Sequence, residues 1–185
     1  MNKNQFSRIA ISLVILSLVW IALTPLLFGG AQADSPQTAP HRGFYAPTFT
    51  LGTPWGEVHS LEEHEGSPVL VFFWASWCSI CKAAMPGLEA VYQAFAPQGF
   101  TILAINTTNQ DSLTSAETYF KSQGYSYTML LDRDGFVANQ YRMRAVPTSV
   151  LIDPQGKITD VIIGSGISEG FLRARVGALL EEGME

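Results

Sequence analysis

The pattern of hydrophobic and polar positions changes several times along the chain, and each change predicts an element. Val69–Trp74 is a continuous apolar run that is too short for a helix, so it indicates a fully buried strand. Thr101–Ile105 has the same pattern. Apolar residues recur at helical spacing over Cys78–Phe95 and again after Ser168. Strands that alternate with helices predict an α/β fold, a mixed sheet with helices on both faces.

Shorter segments complete this prediction. Thr48–Leu51 and Glu57–His59 flank a turn-rich segment and predict an N-terminal β-hairpin. Thr114–Glu117 has the pattern of a helix N-terminus, and Gly124 is expected to end that helix. Three further elements are predicted. Tyr127–Leu131 is expected to be a third strand and Phe136–Tyr141 a short helix, while Thr148–Asp153 and Lys157–Ile163 are expected to form a terminal hairpin.

The N-terminal segment differs from the rest in charge and hydropathy. Ile9–Phe28 has no charged side chain, and as a helix its 20 residues would span about 30 Å, the apolar core of a bilayer. Lys3 and Arg8 precede it, whereas the chain after position 33 carries nine basic and sixteen acidic residues. This asymmetry predicts an N-terminus inside the cell and a domain outside.

Two interpretations of this segment are open. Its length exceeds the usual apolar core of a signal peptide and favours an uncleaved membrane anchor. Ala31-Gln32-Ala33 is a small-residue cleavage site and favours a signal peptide, which would leave a soluble periplasmic or secreted protein. Residues 1–33 are thus expected to be an anchor or signal peptide, residues 34–43 a polar linker, and residues 44–185 the domain.

Composition excludes several function classes. The chain is 47% hydrophobic, which is too apolar for a disordered protein. Its net charge is −5 and it has no cluster of Lys and Arg, so nucleic-acid binding is not expected. Two cysteines are too few for a disulfide-stapled scaffold or a four-thiolate metal site. We expect neither a metal nor another cofactor.

The two cysteines lie where a buried strand meets a predicted helix. Cys78-Ser79-Ile80-Cys81 places the first cysteine at the helix N-terminus, where free amides stabilise a thiolate. The second cysteine lies one turn deeper, less exposed and within disulfide reach of the first. This asymmetry predicts thiol–disulfide exchange, in which Cys78 attacks a substrate disulfide and Cys81 then attacks Cys78 to release the substrate.

Metal binding and a purely structural disulfide are the alternative interpretations of this pair. A zinc site would need further ligands, but the chain has no second cysteine pair, and His41, His59 and His64 stand in the predicted linker and hairpin region. Haem attachment needs a histidine where Lys82 stands. A disulfide that closes so short a loop adds little stability, so a redox role is favoured.

The motifs together resemble the thioredoxin superfamily and, within it, the membrane-anchored thiol–disulfide oxidoreductases of the TlpA/ResA type. The W-C-x-x-C of that family appears as Trp77–Cys81, and its kink proline as Pro86. Its cis-proline loop appears as Val146-Pro147-Thr148. The entry segment Ala46–Leu51 and an extra central helix within Thr107–Tyr127 also match.

This resemblance implies a thioredoxin-like fold and a role for each matching residue. Cys78 would attack and Cys81 would resolve, while Trp77 would shield the sulfur atoms. Pro147 would be cis and would place the Val146 backbone beside the disulfide, where it pairs with the substrate main chain. The resemblance also implies that the domain reduces disulfides in exported proteins, including apocytochromes c, with electrons from a membrane carrier protein.

The sequence departs from the family at two acidic positions. Phe72 stands where thioredoxin has a buried acid, and Ala84 stands where TlpA/ResA members commonly have Glu.

The motif is also compatible with two alternative functions. A peroxiredoxin-like peroxidase would need Thr where Ala75 stands, and a Cu(I)-binding thiol module usually adds a histidine, which the motif lacks.

Overall fold

The computed structural model describes residues 13–20 and 38–183. The helical residues 13–20 belong to one compact unit and residues 38–183 to another. The strands described in the second unit are β1 (Thr50–Gly52), β2 (Val58–Ser60), β3 (Val69–Trp74), β4 (Thr101–Asn106), β5 (Thr128–Leu131), β6 (Thr148–Ile152) and β7 (Ile158–Ile163). Its α-helices are α1 (Ser79–Phe95), α2 (Leu113–Gln123), α3 (Phe136–Gln140) and α4 (Glu169–Glu182).

The strands form one mixed sheet in the order β2-β1-β5-β4-β3-β6-β7. β3, β4 and β5 are parallel to one another, whereas β6 is antiparallel to β3 and β7 is antiparallel to β6. β1 and β2 form the predicted N-terminal hairpin and join the sheet beside β5. The predicted α/β class, with a mixed sheet and a terminal hairpin, is confirmed.

β3 lies inside the sheet, and all six of its residues are buried. Side chains alternate between the two faces of a strand. One core contains Leu70, Phe72 and Trp74, and the core on the opposite face contains Val69, Val71 and Phe73. A strand with both faces covered needs apolar residues at every position, which explains the continuous apolar run in the sequence.

Helices cover both faces of the sheet. The core that contains Phe72 is completed by three helices, through Met85, Leu88 and Val91 of α1, Ala116 and Phe120 of α2, and Leu172, Val176 and Leu179 of α4. The opposite core is completed by Val137 and Ala138 of α3. The predicted helical periods over Cys78–Phe95 and after Ser168 therefore correspond to real buried stripes.

The strand register brings three loops to one edge of the sheet. The parallel pairing of β3 with β4 ends at Trp74 opposite Asn106, so the residues after both strands leave from the same edge. β6 is antiparallel, and its first residue, Thr148, lies opposite Phe73. The segment before β6 therefore meets this edge as well, and the cysteine turn follows β3 here.

The helix between β4 and β5 begins earlier than the sequence predicts. Its N-cap is Ser112, whose Oγ accepts a hydrogen bond from the Ser115 backbone N–H at 3.3 Å. The predicted start at Thr114–Glu117 is therefore wrong, because Ser112 already has the extended backbone and the side-chain acceptor that a cap requires. Gly124 ends the helix as predicted, with a left-handed φ of 66°.

Backbone hydrogen bonds of the domain begin before Phe44, its predicted first residue. Ala39 N–H donates to Tyr45 O at 3.1 Å, and Gly43 N–H donates to Ile158 O at 2.8 Å. The second half of the predicted linker is therefore attached to the folded domain.

Most of the predicted N-terminal segment lies outside the described residues. Ile9–Phe28 extends beyond residues 13–20 on both sides, and the predicted cleavage motif Ala31-Gln32-Ala33 is not covered. Within the two described ranges, no helix is both long and apolar enough to cross a bilayer.

Candidate active site

Cys78 and Cys81 form a disulfide at the junction of β3 and α1, and their Cα atoms are 5.2 Å apart. A tight turn leads from the strand into the helix, with Cys78 N–H donating to Ala75 O at 3.1 Å. The sequence-predicted succession of buried strand, turn and cysteine-bearing helix start is thus present in the fold.

Cys78 is the N-cap of α1. Its backbone is extended, and its Sγ accepts a hydrogen bond from the Cys81 backbone N–H at 3.1 Å. The sulfur therefore occupies the place that a hydroxyl oxygen takes in a serine cap. The first turn of α1, Ser79–Lys82, carries no acidic side chain, so nothing within that turn opposes the positive end of the helix dipole. After reduction, this setting favours a thiolate at Cys78.

The two sulfur positions differ in access to solvent. Cys78 is 6% exposed and Cys81 is fully buried. An approaching disulfide or thiol therefore meets Cys78 first. Cys81 is positioned to react within the protein, with the sulfur of Cys78.

Exposed apolar side chains lie on the same edge of the sheet. Trp77 is 61% exposed, Ile80 48% and Phe136 64%. Phe136 follows β5, whose loop contacts the loop after β4 through a 3.3 Å hydrogen bond from Asn109 N–H to Asp132 O. Sequence reasoning missed Phe136, although its position just after a parallel strand was a usable signal, because the carboxyl ends of such strands meet at one edge.

The predicted cis-proline loop lies on this edge too. The Val146–Pro147 peptide bond is cis, as expected from the resemblance. Thr148 Oγ1 donates to Ala145 O at 2.6 Å and closes the loop. Pro147 is buried and Val146 is half-buried. The register of Thr148 with Phe73 places this loop beside the turn that carries Cys78.

A carboxylate that sequence reasoning missed lies next to the cysteine turn. Asp111 accepts four hydrogen bonds, from Ser76 N–H at 2.5 Å, Ser76 Oγ at 2.6 Å, Asn106 Nδ2 at 2.8 Å and Ser112 N–H at 2.8 Å. The neighbouring Gln110 O accepts a hydrogen bond from Trp77 Nε1 at 3.0 Å. Asp111 follows β4, as Ser76 follows β3, so the meeting of strand ends was again the available signal.

The position at which thioredoxin has a buried acidic residue is apolar in this chain. Phe72 is fully buried, with Ala104 opposite it on β4 and Ser149 opposite it on β6. Ser149 Oγ is buried and has no hydrogen-bond partner among the described residues. Ala84 is half-buried and packs against the same core. These four positions supply no carboxylate for proton transfer with Cys81.

A cavity of about 530 Å³ lies at the opposite end of the sheet, between Tyr45, Leu61, His64 and Ile152. Burial lowers the pKa of His64 there. Neither cysteine lines this cavity. Across residues 13–20 and 38–183, no group of three or more His, Cys, Asp and Glu side chains is placed to hold a metal ion.

Comparison with known proteins agrees with this geometry. The sequence profile of the AhpC/TSA family matches residues 43–161. The chain belongs to this family. Thiol-disulfide oxidoreductase ResA of Geobacillus thermodenitrificans is 32% identical over 91% of this chain and 94% of its own length. The protein of the same name from Bacillus subtilis is 31% identical over 89% and 87%.

Solved structures of related proteins share the fold. A putative thiol:disulfide interchange protein DsbE from Chlorobium tepidum matches with a TM-score of 0.68 and 30% identity, over 76% of this chain and 98% of that one. A secreted Mycobacterium tuberculosis disulfide oxidoreductase, described as homologous to Escherichia coli DsbE, matches with a TM-score of 0.64 and 26% identity, over 71% and 96%. This AhpC/TSA family member is therefore a thiol–disulfide oxidoreductase of the ResA/DsbE type, with a thioredoxin-like fold.

The difference in burial predicts different thiol reactivities in the reduced AhpC/TSA oxidoreductase. We expect iodoacetamide to alkylate Cys78 at least about tenfold faster than Cys81, because Cys78 has exposed surface and caps α1. Peptide mass spectrometry of samples quenched at intervals measures both rates in one experiment. Equal rates, or faster modification of Cys81, would contradict the assignment of Cys78 as the accessible thiol.

Proposed function

We propose that this oxidoreductase exchanges disulfides with exported proteins, with Cys78 as the attacking residue and Cys81 as the resolving one. The observation that carries the proposal is the placement of the two sulfur atoms on α1. Cys78 caps the helix and keeps a small exposed fraction of 6%, whereas Cys81 lies one turn deeper and is fully buried. This is the arrangement that a two-step exchange needs, with one sulfur for the partner and one for release.

In the reducing direction, both cysteines begin as thiols. The Cys78 thiolate attacks one sulfur of the substrate disulfide, the other substrate sulfur leaves as a thiolate, and a mixed disulfide forms. Cys81, after losing its proton, attacks Cys78 Sγ. The Cys78–Cys81 disulfide forms and the second substrate sulfur leaves, so two electrons have passed to the substrate.

Cys78, Trp77, Phe136 and the Val146–Pro147 loop lie on one edge of the sheet, called the active edge below. The residues on this edge suit a polypeptide substrate. We propose that the Val146 backbone, next to Pro147, pairs with the extended main chain of the substrate in the manner of strand addition. Val146 precedes the first ladder pair of β6, at Thr148. Trp77 and Phe136 add exposed apolar surface that an unfolded segment can cover. Trp77, held by Gln110, would also cover the sulfur atoms.

The direction of electron flow is proposed from the resemblance to the TlpA/ResA type. We propose that the domain is a reductant, that a membrane electron-carrier protein re-reduces it, and that its substrates include apocytochromes c during cytochrome c maturation. The relatives named ResA align over nearly their whole length with this chain, which supports a shared role.

We further propose that the domain is extracytoplasmic and tethered to the membrane by residues 1–33. Residues 34–43 would be the connecting segment, whose second half is hydrogen-bonded to the domain, and residues 44–185 the oxidoreductase domain. The uncharged segment Ile9–Phe28 and the basic residues before it support this orientation. One structural relative is described as secreted, which supports export.

Two cysteine variants test the exchange mechanism. Cys78→Ser should abolish reduction of a model disulfide protein, because no accessible nucleophile remains. Cys81→Ala should accumulate a mixed disulfide through Cys78, because the resolving step is lost. Non-reducing gel electrophoresis with mass spectrometry identifies the trapped species.

Cys81→Ala also serves as the control for Cys78→Ser, because both variants remove the intramolecular disulfide. Full activity of Cys78→Ser, or a mixed disulfide that forms only through Cys81, would reverse the proposed order of the two cysteines.

Consumption of peroxide at a rate comparable to disulfide exchange would favour the peroxidase interpretation. Stoichiometric Cu(I) binding without disulfide exchange would favour the copper-binding module.

Membrane tethering is tested by fractionating cells that express the full chain. We expect the protein to stay with membranes after an alkaline wash and to be digested when protease is added outside the cytoplasmic membrane. A soluble protein whose first residue is Asp34 would instead support cleavage after Ala33. Protection of the domain from external protease would contradict the proposed orientation.

A further inference from the structure

We propose that Asp111 is a positioning residue for the exchange reaction: its carboxylate holds Ser76 so that Cys78 stays at the amino terminus of α1. The inference rests on the proposed role of Cys78 as the attacking residue. It assigns a function to the short segment between β4 and α2, which contributes no residue to the cysteine motif.

Four donors converge on the Asp111 carboxylate, two on each oxygen. Oδ1 accepts from Ser76 Oγ and from the Ser112 backbone N–H. Oδ2 accepts from the Ser76 backbone N–H and from Asn106 Nδ2. A carboxylate accepts at both oxygen atoms, whereas an amide in its place would turn its NH2 group toward two of these four donors.

Ser76 transmits this restraint to the nucleophile. It lies two residues before Cys78, inside the turn that the Cys78 N–H to Ala75 O hydrogen bond closes. Its backbone N–H and its hydroxyl both donate to Asp111, and the indole N–H of the next residue, Trp77, donates to Gln110 O. Two consecutive residues before Cys78 are therefore held by two consecutive residues of the β4–α2 segment.

The β4–α2 segment is itself well anchored. Asn106 pairs with Trp74 at the last position of the β3–β4 ladder. Thr107 N–H donates to Trp74 O at 3.0 Å. Ser112 caps α2, whose buried residues Ala116 and Phe120 belong to the core. Asp111 thus connects a segment that is anchored to the sheet and to the core with the cysteine turn.

The expected consequence concerns the Cys78 thiolate. The helix terminus stabilises this thiolate only while the sulfur stays at the cap position, where Cys81 N–H points to it. Without the Asp111 restraint the turn is free to move, and part of this stabilisation is lost. A negative charge near the turn disfavours the Cys78 thiolate by repulsion. Removal of the Asp111 charge alone would therefore favour the thiolate. The direction of change therefore separates positioning from a plain charge effect.

The test compares Asp111→Asn with the native protein and with Asp153→Asn. Asp153 is a suitable control because it also accepts backbone hydrogen bonds, from Gln155 and Lys157, but at the other end of the sheet. Both bonds end on one oxygen, which an asparagine retains. Each reduced protein is titrated by the ultraviolet absorbance of its thiolate, and its exchange rate with a small disulfide is measured across the same pH range.

We expect Asp111→Asn to raise the pH midpoint of Cys78 thiolate formation by about 0.2 to 0.7 pH units, the size of a helix-terminus effect. Below that midpoint, the exchange rate should fall by about 1.3- to 2.6-fold, because the smaller thiolate fraction is partly offset by the higher nucleophilicity of a more basic thiolate. Asp153→Asn should leave both quantities unchanged. Ser76→Ala removes one of the four hydrogen bonds and should give a smaller shift in the same direction, which keeps the test available if Asp111→Asn does not fold.

An unchanged or lowered midpoint in both Asp111→Asn and Ser76→Ala would overturn the proposal, as would an equal shift in Asp153→Asn. A lower melting temperature alone, with a native midpoint and rate, would show a structural role and would also overturn it. These outcomes differ from a failure of the proposed mechanism, which would appear as exchange activity in Cys78→Ser.

Discussion

The pairing of β3 with β4 on one side and β6 on the other is the constraint on which the active edge depends. Parallel pairing brings the ends of β3 and β4 together, and antiparallel pairing brings the start of β6 to the same place. The cysteine turn, the Asp111 segment and the Val146–Pro147 loop come from distant parts of the chain. They meet because the buried central strand leaves no freedom in register: a slip of one residue would exchange the two cores.

At that edge the chemistry follows from the different environments of two side chains of the same type, Cys78 and Cys81. Cys78 and Cys81 are three residues apart, yet Cys78 caps a helix and is 6% exposed, whereas Cys81 is fully buried. The surrounding core is apolar where related folds place an acid, with Phe72 between Ala104 and Ser149. The site therefore relies on the helix terminus and on restraint of the turn, with the Asp111 carboxylate acting on the backbone before Cys78.

Much of this fold follows from local sequence patterns, because those patterns report burial. The apolar run of β3 and the helical stripe of α1 gave element type and bounds, and the Cys-x-x-Cys motif at their junction indicated the chemistry. Contacts between distant segments left no such pattern. Four donors converge on Asp111 only after the sheet has formed, and the true cap of α2 at Ser112 lies beside it. The exposure of Phe136 likewise depends on how α3 packs.

The reduction potential of the Cys78–Cys81 couple tests the central claim, that this pair is a reductant of other proteins, most directly. Equilibration of the full chain with glutathione redox buffers, followed by thiol trapping and mass measurement, gives the fraction of disulfide at each potential. We expect a single two-electron transition near the potential of thioredoxin, about −270 mV. A potential near −120 mV, that of a strong oxidant, would contradict it.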